Sequence, residues 1–222
     1  MTSTTSPTTR RSRSPALAAL AALLLAAPLA RAQAEIDGAK ASLQITTDQV
    51  VAILNDKSLD QPTRLKRLEN VALDRFDFAR MTLLVLGKNR SQLSPEQQSE
   101  FQEEFKRHLS LTYGKQIEKY TSDEKIEIGA ARLEPNKEVT VKTKIVGGVA
   151  GEGLKIDYRL RSSGGDWKII DVIPENVSLI GNFNAQVQEI VTQKGAGQLI
   201  QTLRDKNAQT QAQQQANGGT AK

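Results

Sequence analysis

The spacing of the apolar residues changes near Tyr120 and changes back at Pro174. Before Tyr120 they recur every three or four positions, as one face of a helix requires. Between the two points they recur every second position, as one face of a strand requires. Ile126 and Ile128 alternate with Glu127 and Gly129. Val139, Val141, Thr143 and Ile145 alternate with Thr140, Lys142 and Lys144. Leu154, Ile156, Tyr158 and Leu160 alternate with Lys155, Asp157, Arg159 and Arg161, and Trp167 to Ile173 is a fourth run. The links Glu134-Pro135-Asn136, Gly147 to Gly153 and Ser162 to Asp166 are short and turn-rich. Four strands so joined are expected to form an antiparallel meander. One face is apolar and the other carries lysine and arginine, which describes a one-sided sheet. Helices, then strands, then helices is the order of an α+β domain.

The helices follow from the same spacing and from their caps. Ser94, Pro95 and Gln97 start one by capping a free amide, fitting the first turn and returning a bond to the cap. Phe101, Phe105, Leu109, Tyr113, Ile117 and Tyr120 share its apolar face. The helix is then about 26 residues, or roughly 39 Å. So long an aromatic stripe needs an equally long apolar partner, and the sheet is predicted to supply it. Upstream, Glu35 to Gln44 reads as a short helix. Thr46 and Gln49 form a capping-box pattern, with Ile45 and Val50 as a staple, for a helix ending near Asp56. Asp60 and Pro62 begin another that carries Leu65, Leu68, Ala72 and Phe76. Helix is expected to continue through Asp77 to Leu86 and to end at Gly87. Downstream, Asn176 to Val191 is helical, and Leu199, Ile200 and Leu203 make a short final helix.

The chain has 222 residues, enough for one domain with its own core. Residues 1–34 read as a secretory signal. Arg10, Arg11 and Arg13 precede an apolar run from Ala16 to Ala30, and Ala30-Arg31-Ala32 and Ala32-Gln33-Ala34 are small-residue cleavage patterns. Pro28 interrupts the run, which is shorter than the ~20 residues a membrane-spanning helix needs. Cleavage after Ala34 is the reading preferred here; a retained anchor is the alternative. The formal charge of +5 falls to +1 once Arg10, Arg11, Arg13 and Arg31 are removed, so nothing demands a nucleic-acid partner. The domain is then residues 35–206. Residues 207–222 have no apolar content to offset ordering and are expected to be disordered.

Chemistry is sparse. The absence of cysteine excludes thiolate chemistry, and a single histidine, His108, excludes a multi-histidine metal site. His108 reads as a boundary residue of the long helix rather than a triad member. Asp171 sits in an apolar strand, where it either faces out, caps a nearby turn or is a perturbed acid. Gly147, Gly148, Gly151 and Gly153 are followed by a strand, which is not the context of a nucleotide loop. Lys142, Lys144, Lys155, Arg159 and Arg161 would line one sheet face, with solvation as the default reading and an anionic partner as the alternative.

Two blocks carry a family resemblance. LVLGKNRSQLSPEQQSEFQEEFKRHLSLTYGKQIEKY (Leu84 to Tyr120) has Leu-Gly, a short polar link, a Ser-Pro-x-Gln helix start and Phe-x-x-x-Phe. Gly165 to Asn207 has Trp-x-x-x-Asp-x-x-x-Glu-x-Val-Ser, then an Asn and a Gly-x-x-x-Leu-Ile ending. Both resemble the MlaC family, the periplasmic component of an ABC-type phospholipid transport system, also called the toluene-tolerance auxiliary component. Departures are Lys88-Asn89-Arg90, which lacks an aromatic, Asn176 in place of a glycine, and Asn184 in place of a basic residue.

The resemblance implies a monomeric periplasmic carrier with phospholipid as its ligand and no cofactor. Its partners are an outer-membrane lipoprotein complex and an inner-membrane ABC complex with an MCE-domain ring. Acyl chains would lie in an apolar cavity between sheet and helices. The residues expected to line it are Leu84, Leu86, Phe101, Phe105, Leu109 and Tyr113 from the helices, and Val141, Ile145, Ile156, Tyr158 and Val177 from the sheet and the turn after it. Ordinary core is the bland reading of each. Two other functions stay open: an enzyme on an apolar substrate with Asp171 as base and Tyr158 as donor, and a protein-binding module with a dry core.

Overall fold

The computed structural model describes residues 15–117, 124–151 and 153–218. Helix α1 (Pro15–Asn55) is unbroken, so the expected cap at Thr46 does not form. Thr46 Oγ1 donates to Ser42 O and Thr47 Oγ1 to Gln44 O, both at 2.9 Å. Those bonds satisfy a threonine inside a helix. Ile45, expected as a staple, is half exposed. Asp60 caps α2 (Gln61–Arg75), accepting from Thr63 N at 2.9 Å.

The predicted run through Asp77 is broken. Phe76 is extended and forms a parallel bridge with Ile169, and Asp77 N donates to Ile169 O at 2.9 Å. The sheet edge thus takes the backbone out of helix, and Asp77 caps a new one, α3 (Phe78–Leu86), through Arg80 N. A 3-10 segment, Gly87–Gln92, leads to α4 (Pro95–Ile117). The capping box forms as read: Ser94 N donates to Gln97 Oε1 at 2.9 Å, and Gln97 N to Ser94 Oγ at 3.2 Å. Tyr120 lies outside the described residues.

Strands β1 (Lys125–Leu133), β2 (Glu138–Val146), β3 (Leu154–Ser163) and β4 (Asp166–Pro174) pair antiparallel in the order β1-β2-β3-β4. Gly164 and Gly165, at φ of +64° and +94°, form the two-residue β3–β4 hairpin that only such backbone freedom allows. The apolar face packs on α1 and not, as predicted, on α4. Ala39 and Leu43 meet Val139, Val141, Leu160, Trp167 and Ile169. Gly38 makes the close approach possible, since a Cβ there would stand 2.6 Å from Trp167 Nε1. Ser42 Oγ adds a bond to Trp167 O at 2.8 Å.

The aromatic stripe of α4 is instead buried among helices. Phe101 and Phe105 join Val85 and Leu86 of α3, Phe183 and Val187 of α5 (Leu179–Lys194), and Leu199 and Leu203 of α6 (Leu199–Gly218). Phe105 meets Phe183 edge-on at 5.2 Å. From Asn207, where a disordered tail is expected, the chain is helix through Gly218; residues 219–222 lie outside the described residues. Side-chain amides replace the missing apolar contacts. Asn207, 0% exposed, donates to Glu104 O at 3.0 Å and Glu104 Oε2 at 2.9 Å, and Gln211 accepts from Arg107 at 2.7 Å. The molecule therefore has two apolar cores, one among α3–α6 and one between α1 and the sheet. Phe76 packs against both.

Candidate functional site

The apolar residues read from the sequence as a lining fall on both cores. Leu86, Phe101 and Phe105 are buried in the helical core, and Leu84 and Leu109 pack against it. Val141 and Tyr158 belong to the α1–sheet core. Ile145 is buried and Ile156 half-buried on the same sheet face, farther along the strands. Tyr113 is half-buried near the end of α4, and desolvation raises its pKa. Val177 follows the positive-φ pair Glu175 and Asn176 and is 56% exposed, so it faces neither core. The helical core encloses about 20 Å³ beside Phe101, Phe105, His108 and Phe183. That is room for about one water molecule.

The opposite face of the sheet holds a polar cluster that alternation alone did not reveal. Asp171 is 0% exposed and caps α5: Ser178 Oγ donates to its Oδ2 at 2.6 Å and Ile180 N to its Oδ1 at 3.1 Å. Arg159, its partner across β3–β4, donates to Oδ2 as well. Glu138 is buried among Arg80, Arg159 and Arg161, at 3.7, 3.8 and 3.9 Å. It escaped notice because it stands in the polar phase of β2, and Arg80 arrives from α3. The cluster ties α3 and α5 to the sheet. It also removes the enzyme geometry. Tyr158 is paired with Val172, while Asp171 is paired with Arg159. Neighbouring residues on a strand point to opposite faces, so Tyr158 and Asp171 cannot reach one reacting atom.

His108 is a boundary residue, as read. Its Nδ1 is 2.8 Å from Asn207 Oδ1 and its ring meets Phe183 edge-on at 5.4 Å. Desolvation holds its pKa below 6.5; the Asn207 bond opposes that and the charge of Lys206 adds to it. The unfolded chain therefore takes up a proton that the folded protein resists. The stability involved is whole above pH 6.5 and is lost as pH falls through that value toward the depressed folded pKa. The melting temperature should fall between about pH 7.5 and about pH 5.5, and His108→Gln should lose that part of the slope. An unchanged slope in the variant would assign the acid response to other groups.

A groove of about 470 Å³ lies where α2 gives way to α3, between α4 and the β3–β4 hairpin. Leu73, Phe76 and Phe78 form its apolar part, and Lys106, Lys168 and Asp166 are among its polar residues. Helical spacing does not reveal it, because Phe76-Asp77-Phe78 fits a continuous helix and the break comes from the bridge to Ile169. The volume falls within the ~300–1,000 Å³ usual for ligand pockets.

Residues 44–205 match the family described as MlaC protein. The chain belongs to the MlaC family. A curated relative of this MlaC-family chain is the toluene tolerance protein ttg2D of Pseudomonas putida, 30% identical over 102 residues, 46% of each chain. That match spans about half the relative's length. Among solved structures, the fold is similar to the phospholipid-binding protein from Ralstonia solanacearum in complex with a phospholipid, at a TM-score of 0.69 and 27% identity. The similarity covers 78% of this chain and 98% of that one.

Proposed function

We propose that this MlaC-family chain is a periplasmic phospholipid carrier. It sequesters acyl chains at the meeting of its two apolar cores and moves lipid between an outer-membrane lipoprotein complex and an inner-membrane MCE-domain ABC complex. The observation that carries this reading is the likeness over 98% of a chain solved with a phospholipid. Residues 1–34 are removed on export, and Ile36, Ala39 and Leu43, which pack on the sheet, remain. Among the described residues no helix is long and apolar enough to cross a membrane.

Burying a CH₂ contributes about 0.8 kcal/mol, so a 16-carbon tail gains up to ~12 kcal/mol over water. Two tails exceed the practical ceiling of non-covalent affinity, so escape into water is negligible. Against a bilayer the gain nearly cancels, because the tail leaves oil for oil. The carrier loads and unloads near balance, and partners must set direction. An acyl chain needs far more than the roughly 20 Å³ of the helical core, so loading requires the packed elements to part. Asp171 is occupied in capping and ion pairing, which supports a binding role over catalysis.

Native mass spectrometry of the exported protein, purified without detergent, tests the reading. A chain starting at Glu35 and carrying the added mass of a phospholipid is expected. Bare protein that also fails to take lipid from vesicles would overturn it.

A further inference from the structure

Resting on the carrier reading, we propose that the groove beside Phe76 and Phe78 seats the lipid headgroup and selects a zwitterionic glycerophospholipid over an anionic one. The groove's floor carries the first observation. Phe76 and Phe78 stack at 5.8 Å and an interplanar angle of 20°, and Leu73 is 48% exposed beside them. Phe76 touches both cores, so hydrocarbon lying over it is led toward their junction while the polar end stays in the groove.

The rim carries the second. Lys106 Nζ is 5.8 Å from the Phe78 ring centroid and 2.8 Å from Glu103. Lys168 Nζ reaches Asp166 at 2.9 Å and Asp74 at 3.8 Å. The side chains of those three acids are more than half exposed. Lys168 Nζ also donates to Asp74 O. Pairs with such exposed acids are weak in water, so the two ammoniums can turn from those carboxylates to another anion. A phosphodiester can therefore displace the acids from Lys106 and Lys168 with little loss. Asp74 stays paired with Arg75 Nε at 3.1 Å, and the released Asp166 is the acceptor for an ammonium. Asp77 also lines the groove, but its carboxylate caps α3 through Arg80 N. A headgroup of both signs satisfies the two lysines and Asp166, whereas a purely anionic one leaves that carboxylate opposed.

The test loads the mature protein from vesicles of equal parts phosphatidylethanolamine and phosphatidylglycerol and reads the bound lipid by native mass spectrometry. The parent protein should emerge mainly with phosphatidylethanolamine. The double variant Lys106→Glu, Lys168→Glu should load about tenfold less. The double variant Asp74→Asn, Asp166→Asn should load as well but lose the preference. A phosphatidylethanolamine with a photoreactive group near its glycerol, bound to the parent, should crosslink within residues 73–78, 102–106 or 163–168. A parent loaded in the vesicle ratio, double variants that behave as the parent, or crosslinks confined elsewhere overturn the groove assignment and leave the carrier reading standing. A parent that takes up no lipid overturns the carrier reading, and the groove assignment with it.

Discussion

Asp171→Ala is expected to cost about 3–5 kcal/mol of unfolding free energy, the usual result of removing one partner of a buried ion pair. Three donors lose their acceptor at once: the Arg159 guanidinium, the Ser178 hydroxyl and Ile180 N. The Arg159 side chain keeps 30% exposure and stands 3.8 Å from Glu138, so water and that carboxylate relieve part of its charge and the lower half of the range is expected. For a domain of this size the melting temperature should drop by roughly 6–15 °C. Urea unfolding followed by the single tryptophan, Trp167 on the same strand, reads the change. A loss below about 1 kcal/mol would mean that the cluster does not hold the helices to the sheet. Arg161→Ala is a useful contrast. That side chain is 43% exposed and stands 3.9 Å from Glu138, so its removal should cost about 1 kcal/mol or less.

Phe105→Ala should be as severe, about 3–5 kcal/mol, because a fully buried ring leaves a cavity its neighbours fill only in part. Phe105 is 1% exposed and touches Phe101 and Phe183. The measurement is most informative made twice, on delipidated protein and on protein reloaded from vesicles. If acyl chains reach the helical core, reloaded variant should regain part of the loss, since hydrocarbon takes the space of the ring. Equal losses in the two forms would confine the lipid to the α1–sheet side.

The sheet was legible because period-two alternation needs only the local sequence, and its four strands and their order are as read. The start of α4 was legible for the same reason: Ser94 and Gln97 complete their bonds within one turn. What covers the sheet was not. Gly38, Ala39 and Ser42 carry little hydrophobicity, yet their small size lets α1 approach Trp167. The large rings of α4 drew the reading toward the sheet. The break at Phe76 was hidden because its cause is the edge of β4, far away in sequence. The polar half of α6 was misread because its order comes from amide bonds to α4, which composition does not register. At the site, the residues chosen by alternation are apolar positions of two separate cores. The groove joins α2–α3, α4 and a hairpin that only the folded chain brings together.

The rungs between α4 and α6 have one more consequence. Past Leu203 the two helices are held by groups that water can serve equally well. Each rung given up to solvent costs only about 0.5–1.5 kcal/mol. The last turns of α6 can therefore peel away and re-seat like a wetted strip of tape, while the greasy first turn at Leu199 stays anchored as the pivot.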